Sequence, residues 1–427
     1  MTNTSGADVT LTVNNVNFSG LSLGGLALSD SNAPHTVTIA GSGNVRISGV
    51  VANGGTGSGN LTYSGTTFGG LELSGANTYS GLTILNSGTL YVANDSAFGT
   101  SALSLRGGVI QNNGPGARMI ANQVSLDGNV TVYGNQDMTF TGTWTDSGSR
   151  TLNNIISGTL TLAGSVFLSD DNTTTGRGLT ISGYAPTTIS GVIVNNNSGN
   201  TIAATLTYSG TGTLLLTGNN TYSGTTTINS GTLNAGATGA LGGTPGITVN
   251  SGGTFLLSGS STVTDRINNS ATMTLNGGTF NTGGLQEHGA TNNTAGIGAL
   301  TLQSSSIIDM ASGTSILAFA NSSANSAAWG IGKSLDIWDW TGTPLTGGGT
   351  DQLYFGSDAT GLTASQLLEI HFYTGAGTGL YGGPTLILVD GEVVPIPEPS
   401  TWLAAGLALS GLLFAQHQRL RRAISRR

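Results

Sequence analysis

Cysteine is absent from the 427 residues of this chain, and charged residues make up only 7% of them. Without cysteine the chain forms no disulfide and no thiolate metal site, and it has no cysteine nucleophile. The few charges are unevenly distributed. Five of the 12 basic residues occupy the last nine positions, and the rest of the chain contains only seven basic residues against 20 acidic ones. A body this acidic repels phosphate backbones, so we expect no nucleic-acid binding.

Other familiar signals are also missing. The first 20 residues have neither the basic stretch nor the apolar core of a secretory signal, and Val9–Val13 already alternates like a strand. We therefore expect the natural precursor to be longer, with Met1 lying inside the folded array. No cofactor or metal is expected, because no histidine has a partner at the spacing of a triad or a zinc site. The histidines are His35, His288, His371 and His417.

Glycine, with 70 residues, separates short apolar runs, and one such pattern occurs twice. The stretches Leu71–Val92 and Leu214–Gly236 each place Asn-Thr-Tyr-Ser-Gly after a Leu-x-Leu run, and Asn-Ser-Gly-Thr-Leu seven residues after the tyrosine. Similarity on both sides indicates a duplicated unit of about 140 residues, over about 20–120 and 160–265. The motif positions shared by the two copies are Asn77, Tyr79, Gly81, Asn220, Tyr222 and Gly224.

The residue types between these motifs predict the fold class. Strand-like triplets such as Leu71–Leu73 and Leu90–Val92 alternate with Ser-Gly and Asn-Gly breaks, which is typical of short strands joined by tight turns. A strand this short cannot bury an apolar face by itself, so each one must stack on the next. The sequence therefore predicts an all-β fold in which residues 1–297 form a parallel β-helix, or solenoid. A two-sheet sandwich is the alternative.

The duplicated motifs resemble the autotransporter-associated β-strand repeat, over Gly70–Ala93 and Gly212–Gly236. The resemblance implies a right-handed parallel β-helix in a secreted or surface-exposed bacterial protein. It implies no particular catalytic activity. Because Tyr79 and Tyr222 stand at equivalent positions in the two copies, we expect them to pack at turns rather than to contact a ligand.

From Gly298 the repeat pattern is lost, and we interpret residues 298–394 as a β-rich C-terminal cap domain. An open solenoid end exposes unpaired edge groups and apolar core, which such a cap would cover. Thr363 and Gln366 have the spacing of a helix capping box, and Asp390-Gly391 predicts a hairpin turn. The cap also contains three tryptophans, at Trp329, Trp338 and Trp340.

The last segment, residues 395–427, has three parts in a fixed order. A Pro-Glu-Pro motif is followed by an apolar stretch, which we predict to be one C-terminal transmembrane helix over residues 401–418. The motif residues are Pro397, Glu398 and Pro399. The basic cluster that follows the helix contains Arg419, Arg421, Arg422, Arg426 and Arg427.

This three-part order closely resembles the PEP-CTERM sorting signal. The resemblance implies export across the inner membrane of a Gram-negative bacterium and processing near the Pro-Glu-Pro motif by an exosortase-type enzyme. The helix would hold the chain in the inner membrane transiently or permanently. The mature protein would then belong to the cell envelope or the extracellular matrix.

Catalysis on a β-helix scaffold needs suitably placed side chains. A glycoside hydrolase would need two carboxylates at a defined separation. Asp170-Asp171 is the nearest candidate, but the duplicated copy has Asp30-Ser31 there, which favours turn capping. Asp336 and Asp339 flank Trp338 and would form a sugar platform, although core packing is the stronger interpretation for the tryptophan.

Taken together, the sequence predicts a non-enzymatic, exported envelope or matrix protein of adhesive or structural function. Its long neutral Thr/Ser/Asn surface is expected to contact extracellular polysaccharide through many weak interactions. The first alternative is a carbohydrate-active enzyme on the same scaffold, which carboxylates clustered on one face would favour. The second is an autotransporter-like passenger, against which the apolar C-terminal stretch counts.

Overall fold

The chain coils into a parallel β-solenoid. The computed structural model describes residues 1–14, 20–112, 114–170, 176–199, 202–329 and 332–397. Over these residues the backbone makes about 12 turns, and successive turns hydrogen-bond through parallel strands that form three long sheets. The predicted all-β parallel solenoid is confirmed, and its right-handed sense stays a prediction.

Sheets 1, 2 and 3 are numbered in the order in which the chain enters them, and neighbouring strands in each sheet are hydrogen-bonded to one another. Sheet 1 contains β1 (Val9–Thr12), β4 (His35–Gly41), β7 (Gly59–Gly65), β9 (Thr83–Ser87), β11 (Leu103–Leu105), β14 (Val124–Leu126), β17 (Trp144–Asp146), β20 (Val166–Phe167) and β23 (Ile193–Val194). Sheet 2 contains β2 (Leu21–Leu23), β5 (Val45–Ile47), β8 (Gly70–Leu73), β10 (Thr89–Val92), β12 (Val109–Asn112), β15 (Val130–Gly134), β18 (Arg150–Asn154), β21 (Gly178–Ser182), β24 (Thr205–Tyr208), β26 (Thr226–Ile228), β28 (Gly246–Asn250), β30 (Thr272–Asn276) and β33 (Leu300–Ser304).

Sheet 3 begins later in the chain and runs to its C-terminal part. It contains β13 (Arg118–Ile120), β16 (Met138–Phe140), β19 (Leu160–Leu162), β22 (Thr187–Ile189), β25 (Thr213–Leu216), β27 (Gly231–Ala235), β29 (Gly253–Leu257), β31 (Thr279–Asn281), β34 (Ser306–Asp309), β36 (Leu335–Trp338), β38 (Ile370–Gly375) and β39 (Thr378–Leu380). The smaller sheets pair β3 (Leu26–Ala27) with β6 (Val51–Ala52), β32 (Gln286–Glu287) with β35 (Ile316–Phe319) and β37 (Gln352–Phe355), and β40 (Thr385–Ile387) with β41 (Val393–Pro395). The helices are a 3₁₀ helix (Ser323–Ala328) and α1 (Ala364–Leu367).

In most strands the side chains alternate between the interior of the coil and its surface. In β24, for example, Leu206 and Tyr208 are buried while Thr207 faces outward. Parallel pairing places like residues over one another, so Leu71 of β8 lies in register with Leu90 of β10, and both are fully buried. Each buried leucine contributes about 2 kcal/mol of apolar transfer free energy, and only the neighbouring turns can cover it.

The two copies of the duplicated unit do not occupy the same faces of the coil. Strands β5, β8 and β10 of the first copy lie in sheet 2, whereas their equivalents β22, β25 and β27 lie in sheet 3. In the same way, β7 and β9 lie in sheet 1, and their equivalents β24 and β26 lie in sheet 2. The second copy is therefore displaced by one face around the solenoid axis, because the unit is not a whole number of turns long.

The parallel ladder continues past residue 298, where the cap was predicted to begin. β33 is the last strand of sheet 2, and β34, β36 and β38 extend sheet 3. Stacked and edge-on rings fill this end, with ring centroids 5.2 Å apart for Phe319 and Phe355 and 5.0 Å apart for Trp340 and Phe372. The division into a 1–297 array and a 298–394 cap stays a prediction, but the two segments share their sheets.

Two local predictions for this end are confirmed. The Thr363 side chain and Gln366 form the capping box at the start of α1, and β40 pairs antiparallel with β41. Pro397 is the last described residue, so Glu398, Pro399, the predicted transmembrane helix over 401–418 and the arginine cluster lie outside the described residues. Within the described ranges, no helix has the length and apolar character needed to cross a membrane.

Charged side chains are buried at several places in the described part of the coil, and the sequence pattern revealed neither the cluster at Arg266 nor that at Asp146. Arg266 and Glu287 form a fully buried ion pair with Nη1 and Oε2 3.8 Å apart. The carboxylate also accepts the backbone N–H groups of Arg266 and Ile267, each at 3.0 Å. Burial raises the pKa of Glu287 to about 7. A pair of this kind is costly to break because either charge alone would be buried without compensation.

The second cluster surrounds Asp146, the inward-facing last residue of β17, whose exposed fraction is 2%. Its Oδ1 accepts the backbone N–H of Gly148 at 3.0 Å, while Oδ2 is buried without a hydrogen-bond partner among the described residues. Burial raises the pKa of Asp146 to about 7, although nearby Arg150 and Arg177 lower it. The fold therefore favours the protonated carboxyl.

We expect the free energy of unfolding to fall as the pH rises from about 4 to about 7 and then to level off, and Asp146→Asn to reduce that fall. The folded pKa lies above the ordinary value near 4, so the stabilising protonated form is present at low pH and is lost on ionisation. At pH 8 the variant should exceed wild type by on the order of 2 kcal/mol in urea unfolding, and at pH 4 the two should agree. If the difference in unfolding free energy between Asp146→Asn and wild type did not change with pH, the raised pKa of Asp146 would be contradicted.

Candidate functional surface

The duplicated motif forms one internal latch in each copy. The amide of Asn77 accepts the backbone N–H of Val51 at 2.8 Å and donates to the carbonyl of Ala97 at 2.7 Å. Both distances recur at Asn220, which accepts from Ile193 and donates to Ala240. Each asparagine is buried and bonds to the turns on both sides of its own. It replaces the strand hydrogen bonds that are missing where the chain bends.

The tyrosines of the motif also face inward. The Tyr79 hydroxyl lies 2.5 Å from the Thr83 hydroxyl, and the Tyr222 hydroxyl lies 2.6 Å from that of Thr226. Burial raises the pKa of both phenols. They are packing residues, as their equivalent positions indicated, and neither ring is available to a ligand.

The glycines of the motif allow a close approach between turns. A Cβ on Gly81 would lie 2.3 Å from the carbonyl oxygen of Gly59, and one on Gly224 would lie 2.2 Å from that of Ala204. Any other residue would therefore push successive turns apart. All six repeat-motif positions are thus explained by the stacking of turns, and the candidate functional residues must be sought on the outer surface.

A row of threonines follows the outer face of sheet 2. Parallel registers place them opposite one another from strand to strand, so that successive members lie about 4.8 Å apart. All seven are partly exposed, and Asn325 ends the row by donating to the last hydroxyl at 3.0 Å. The row consists of Thr151, Thr180, Thr207, Thr227, Thr248, Thr274 and Thr301.

A second row on the same face is a ladder of amides and hydroxyls. The Asn250 amide donates to Asn229 at 2.8 Å, and the Asn276 amide donates to Asn250 at 2.8 Å. The ladder continues to Ser209 at one end and to Ser304 at the other, each over 2.9 Å. Each asparagine amide group hydrogen-bonds to the next one in the row. Such a chain of hydrogen bonds stiffens the face, and each bond polarises the ones beside it.

Beyond Thr151, whose strand begins with Arg150, the two rows lie on or next to strands without charged residues. From β21 to β33 the strands of sheet 2 contain no charged residue, and neither do the strands of sheet 3 from β22 to β31. The part of the coil that holds the second copy therefore presents two adjoining neutral faces lined by hydroxyl and amide groups. Such a surface can form many weak hydrogen bonds and methyl contacts, but it offers no acid or base for chemistry.

The residues considered for catalysis do not assemble into one described site. Asp170 binds the Arg177 guanidinium, and Asp171 lies outside the described residues. His35 lies 3.1 Å from the Ser31 hydroxyl, and His288 contacts its own loop at the Gly289 carbonyl. His417 also lies outside the described residues. Across the described ranges, no group of three or more potential metal ligands is present.

Carboxylates do approach one another on the outer face of sheet 3. His371 Nδ1 lies 3.3 Å from Asp336, and half-buried Trp338 stands beside Asp309 in the register. Burial raises the pKa of Asp309, and the neighbouring Asp339 carboxyl raises it further. Both Asp309 oxygens are engaged, however, by Ala311 N–H at 2.9 Å and by Asn281 at 2.6 Å.

This arrangement anchors the end of β34. Trp329 and Trp340 are buried, as expected for core residues. Trp338 alone of the three lies on the outer face, next to the carboxylates that flank it in sequence. Strand alternation alone would place Trp338 and Trp340 on the same face, because they are two residues apart. Asp339 between them has a left-handed backbone with φ of 54°, which breaks the alternation and turns Trp340 inward.

With the geometry established, comparison with known proteins identifies the class of repeat. A family model described as the passenger-associated transport repeat matches residues 69–92 and 206–235. These two segments contain both copies of the latch, so the chain is similar to that family where the latch asparagines lie. The predicted resemblance to autotransporter-associated repeats is supported. No curated protein and no solved structure matches the chain.

We expect Asn77→Ala to lower the free energy of unfolding by about 2–4 kcal/mol, because it leaves a buried N–H on Val51 and a buried carbonyl on Ala97 without partners. Asn220→Ala should cost a similar amount. Asn86→Ala is the matched control, since the Ser64 hydroxyl is the one partner of this exposed amide among the described residues. Urea unfolding of the three variants provides the measurement. Equal decreases in the free energy of unfolding for Asn77→Ala and Asn86→Ala would contradict the stabilising role assigned to the Asn77 latch.

Proposed function

We propose that this chain is an exported, non-enzymatic solenoid of the bacterial envelope or extracellular matrix, with an adhesive or structural role. The observation that carries the proposal is the uncharged outer surface of strands β21 to β33 in sheet 2 and β22 to β31 in sheet 3, with its in-register threonine row. Passenger-type repeats fit an exported or surface-exposed protein. The polymer partner is extracellular polysaccharide, whose hydroxyl groups pair with hydroxyl and amide side chains.

The mechanism is one of repetition rather than of a single strong site. Each threonine offers one hydroxyl and one methyl group, and a contact of this kind is individually weak. A rigid array holds many such groups at a fixed spacing, so little ordering entropy is lost when a polymer lies along it. Because no ion pair takes part, binding should be almost insensitive to salt.

We expect Thr227→Lys combined with Thr248→Lys to weaken retention of the protein on insoluble neutral polysaccharide. The long charged side chains would cover the row and carry water with them, while the strands keep their pairing. The matched control is Thr10→Lys with Thr38→Lys, which are register neighbours on sheet 1. Retention is measured by co-sedimentation at low salt and at about 1 M NaCl. If the sheet 2 and sheet 1 variants were retained equally, or if salt released the protein, binding through the neutral threonine surface would be contradicted.

Sorting through the C-terminal tail is part of the same proposal. The Pro-Glu-Pro motif, the apolar stretch and the arginine cluster support processing by an exosortase-type enzyme at the inner membrane. We expect the native protein from the envelope and the culture medium to lack the residues that follow the motif. Intact mass measurement tests this, and Glu398→Gln with Pro399→Ala should retain the full mass. An uncleaved chain held in the inner membrane would contradict processing.

The transport-repeat match also favours an autotransporter-like passenger as a second candidate. The two candidates share the adhesive or structural role and differ in the export route. The same mass measurement separates them, because cleavage near Pro397–Pro399 belongs only to the sorting route. A carbohydrate-active enzyme has less support, because Asp170 is paired with Arg177 and both Asp309 oxygens accept hydrogen bonds.

A further inference from the structure

The N-terminal half of sheet 2 has a different outer face from the neutral half. A single register row crosses its strands, running parallel to the solenoid axis beside the amide ladder. It begins with Ser22, Arg46, Glu72 and Tyr91, each opposite the next in adjacent strands. Gln111 and Tyr133 continue it.

The row extends beyond the paired strands. Ile155 donates its backbone N–H to Val132 at 2.9 Å, which places it beside Tyr133. The Tyr184 hydroxyl donates to the Ile155 carbonyl at 2.7 Å. Tyrosines therefore recur at every second strand position, as Tyr91, Tyr133 and Tyr184, with about 10 Å between their successive Cα positions. Tyr133 is 43% exposed and Tyr184 56% exposed.

At least two of these rings lie along the surface instead of projecting from it. A Cβ on Gly70 would fall 2.3 Å from Cε2 of Tyr91, so the ring covers this glycine. The hydrogen bond of Tyr184 to the preceding turn holds its ring over Ile155. A ring held flat presents its face to solvent, which is the geometry that stacks on a sugar ring.

A cavity of about 760 Å³ lies at the start of the row. Its floor includes Arg46, Glu72 and Tyr91, and its wall includes Gly114 and Pro115. The floor is fixed by the ion pair between Arg46 Nε and Glu72 at 3.1 Å and by the Ser74 hydroxyl, which donates to Glu72 at 2.7 Å.

The wall is held by a buried side chain. Asn112 is fully buried, accepts the backbone N–H of Gly114 at 3.0 Å, and donates to the carbonyl of Gly116 at 3.2 Å. The cavity is thus a formed groove with polar groups already oriented, as ligand sites usually are. Its two charges neutralise each other, and the acidic body of the chain disfavours a polyanion.

We propose that this row is an axial glycan track, which starts in the Arg46–Glu72–Tyr91 cavity, continues over Tyr133 and Tyr184, and binds an extended, uncharged, β-linked polysaccharide. In such a polymer the same sugar face recurs at every second residue, which matches tyrosines at every second strand. The ion pair hydrogen-bonds sugar hydroxyls at one end. The inference rests on the proposed function for the class of polymer, but it assigns a site separate from the threonine row.

The test is calorimetric titration of the native protein with cellohexaose, with amylose and polygalacturonate oligomers as comparison ligands. We expect cellohexaose to bind, and Tyr133→Ala to weaken binding about tenfold. Tyr133→Phe should bind nearly as well as wild type because it keeps the ring. Gly70→Ala should weaken binding by displacing the Tyr91 ring. Phe68→Ala is the control, since this ring is 87% exposed and does not line the cavity.

Unchanged affinity in Tyr133→Ala, or a preference for polygalacturonate, would overturn the track. So would the absence of cellohexaose binding. Co-sedimentation with insoluble polysaccharide then separates the two proposals. If the protein is retained while cellohexaose fails to bind, the track is wrong and the neutral surface stands. If retention also fails, the polysaccharide role is wrong as well.

Discussion

Every turn of this solenoid depends on its neighbours, because the inward side chains of one turn have no other cover. Leu71 and Leu90 are buried only because β8 and β10 stack in register. The close approach at Gly81 and Gly224 and the asparagine latches serve the same contact between turns. Stability is therefore built from nearest-neighbour interfaces, and the repeat motif is conserved between the two copies where the chain bends and strand pairing lapses.

The interior also contains polar groups that an apolar core does not need. The Arg266–Glu287 pair is satisfied by backbone partners and joins successive turns. Asp146 is only partly satisfied, since one of its oxygens has no partner among the described residues. The first cluster is a fixed element of the stack. The second, like Glu287 in the first, has a carboxyl whose pKa burial raises to about 7, in a coil that otherwise contains few charges.

The outer surface is divided along the axis into two kinds of face. The half that holds the second copy is neutral and lined by threonine and asparagine, whereas the first half carries the Arg46–Glu72 pair and the tyrosine row. Both kinds lie on sheet 2, so one continuous face combines a repetitive surface with a local groove. A long polymer could contact both at once, and the weak contacts would then add to the binding at the groove.

The sequence alone determined the strands, the duplication, the inward aliphatic residues and the packing role of Tyr79 and Tyr222, because these depend on local alternation and short turns. It did not reveal that the second copy is displaced by one face, since that depends on the summed length of all intervening turns. Tyr91, Tyr133 and Tyr184 are far apart in the chain and follow no fixed period. Only the register of parallel strands brings them into one row, and that register is set by turns of unequal length.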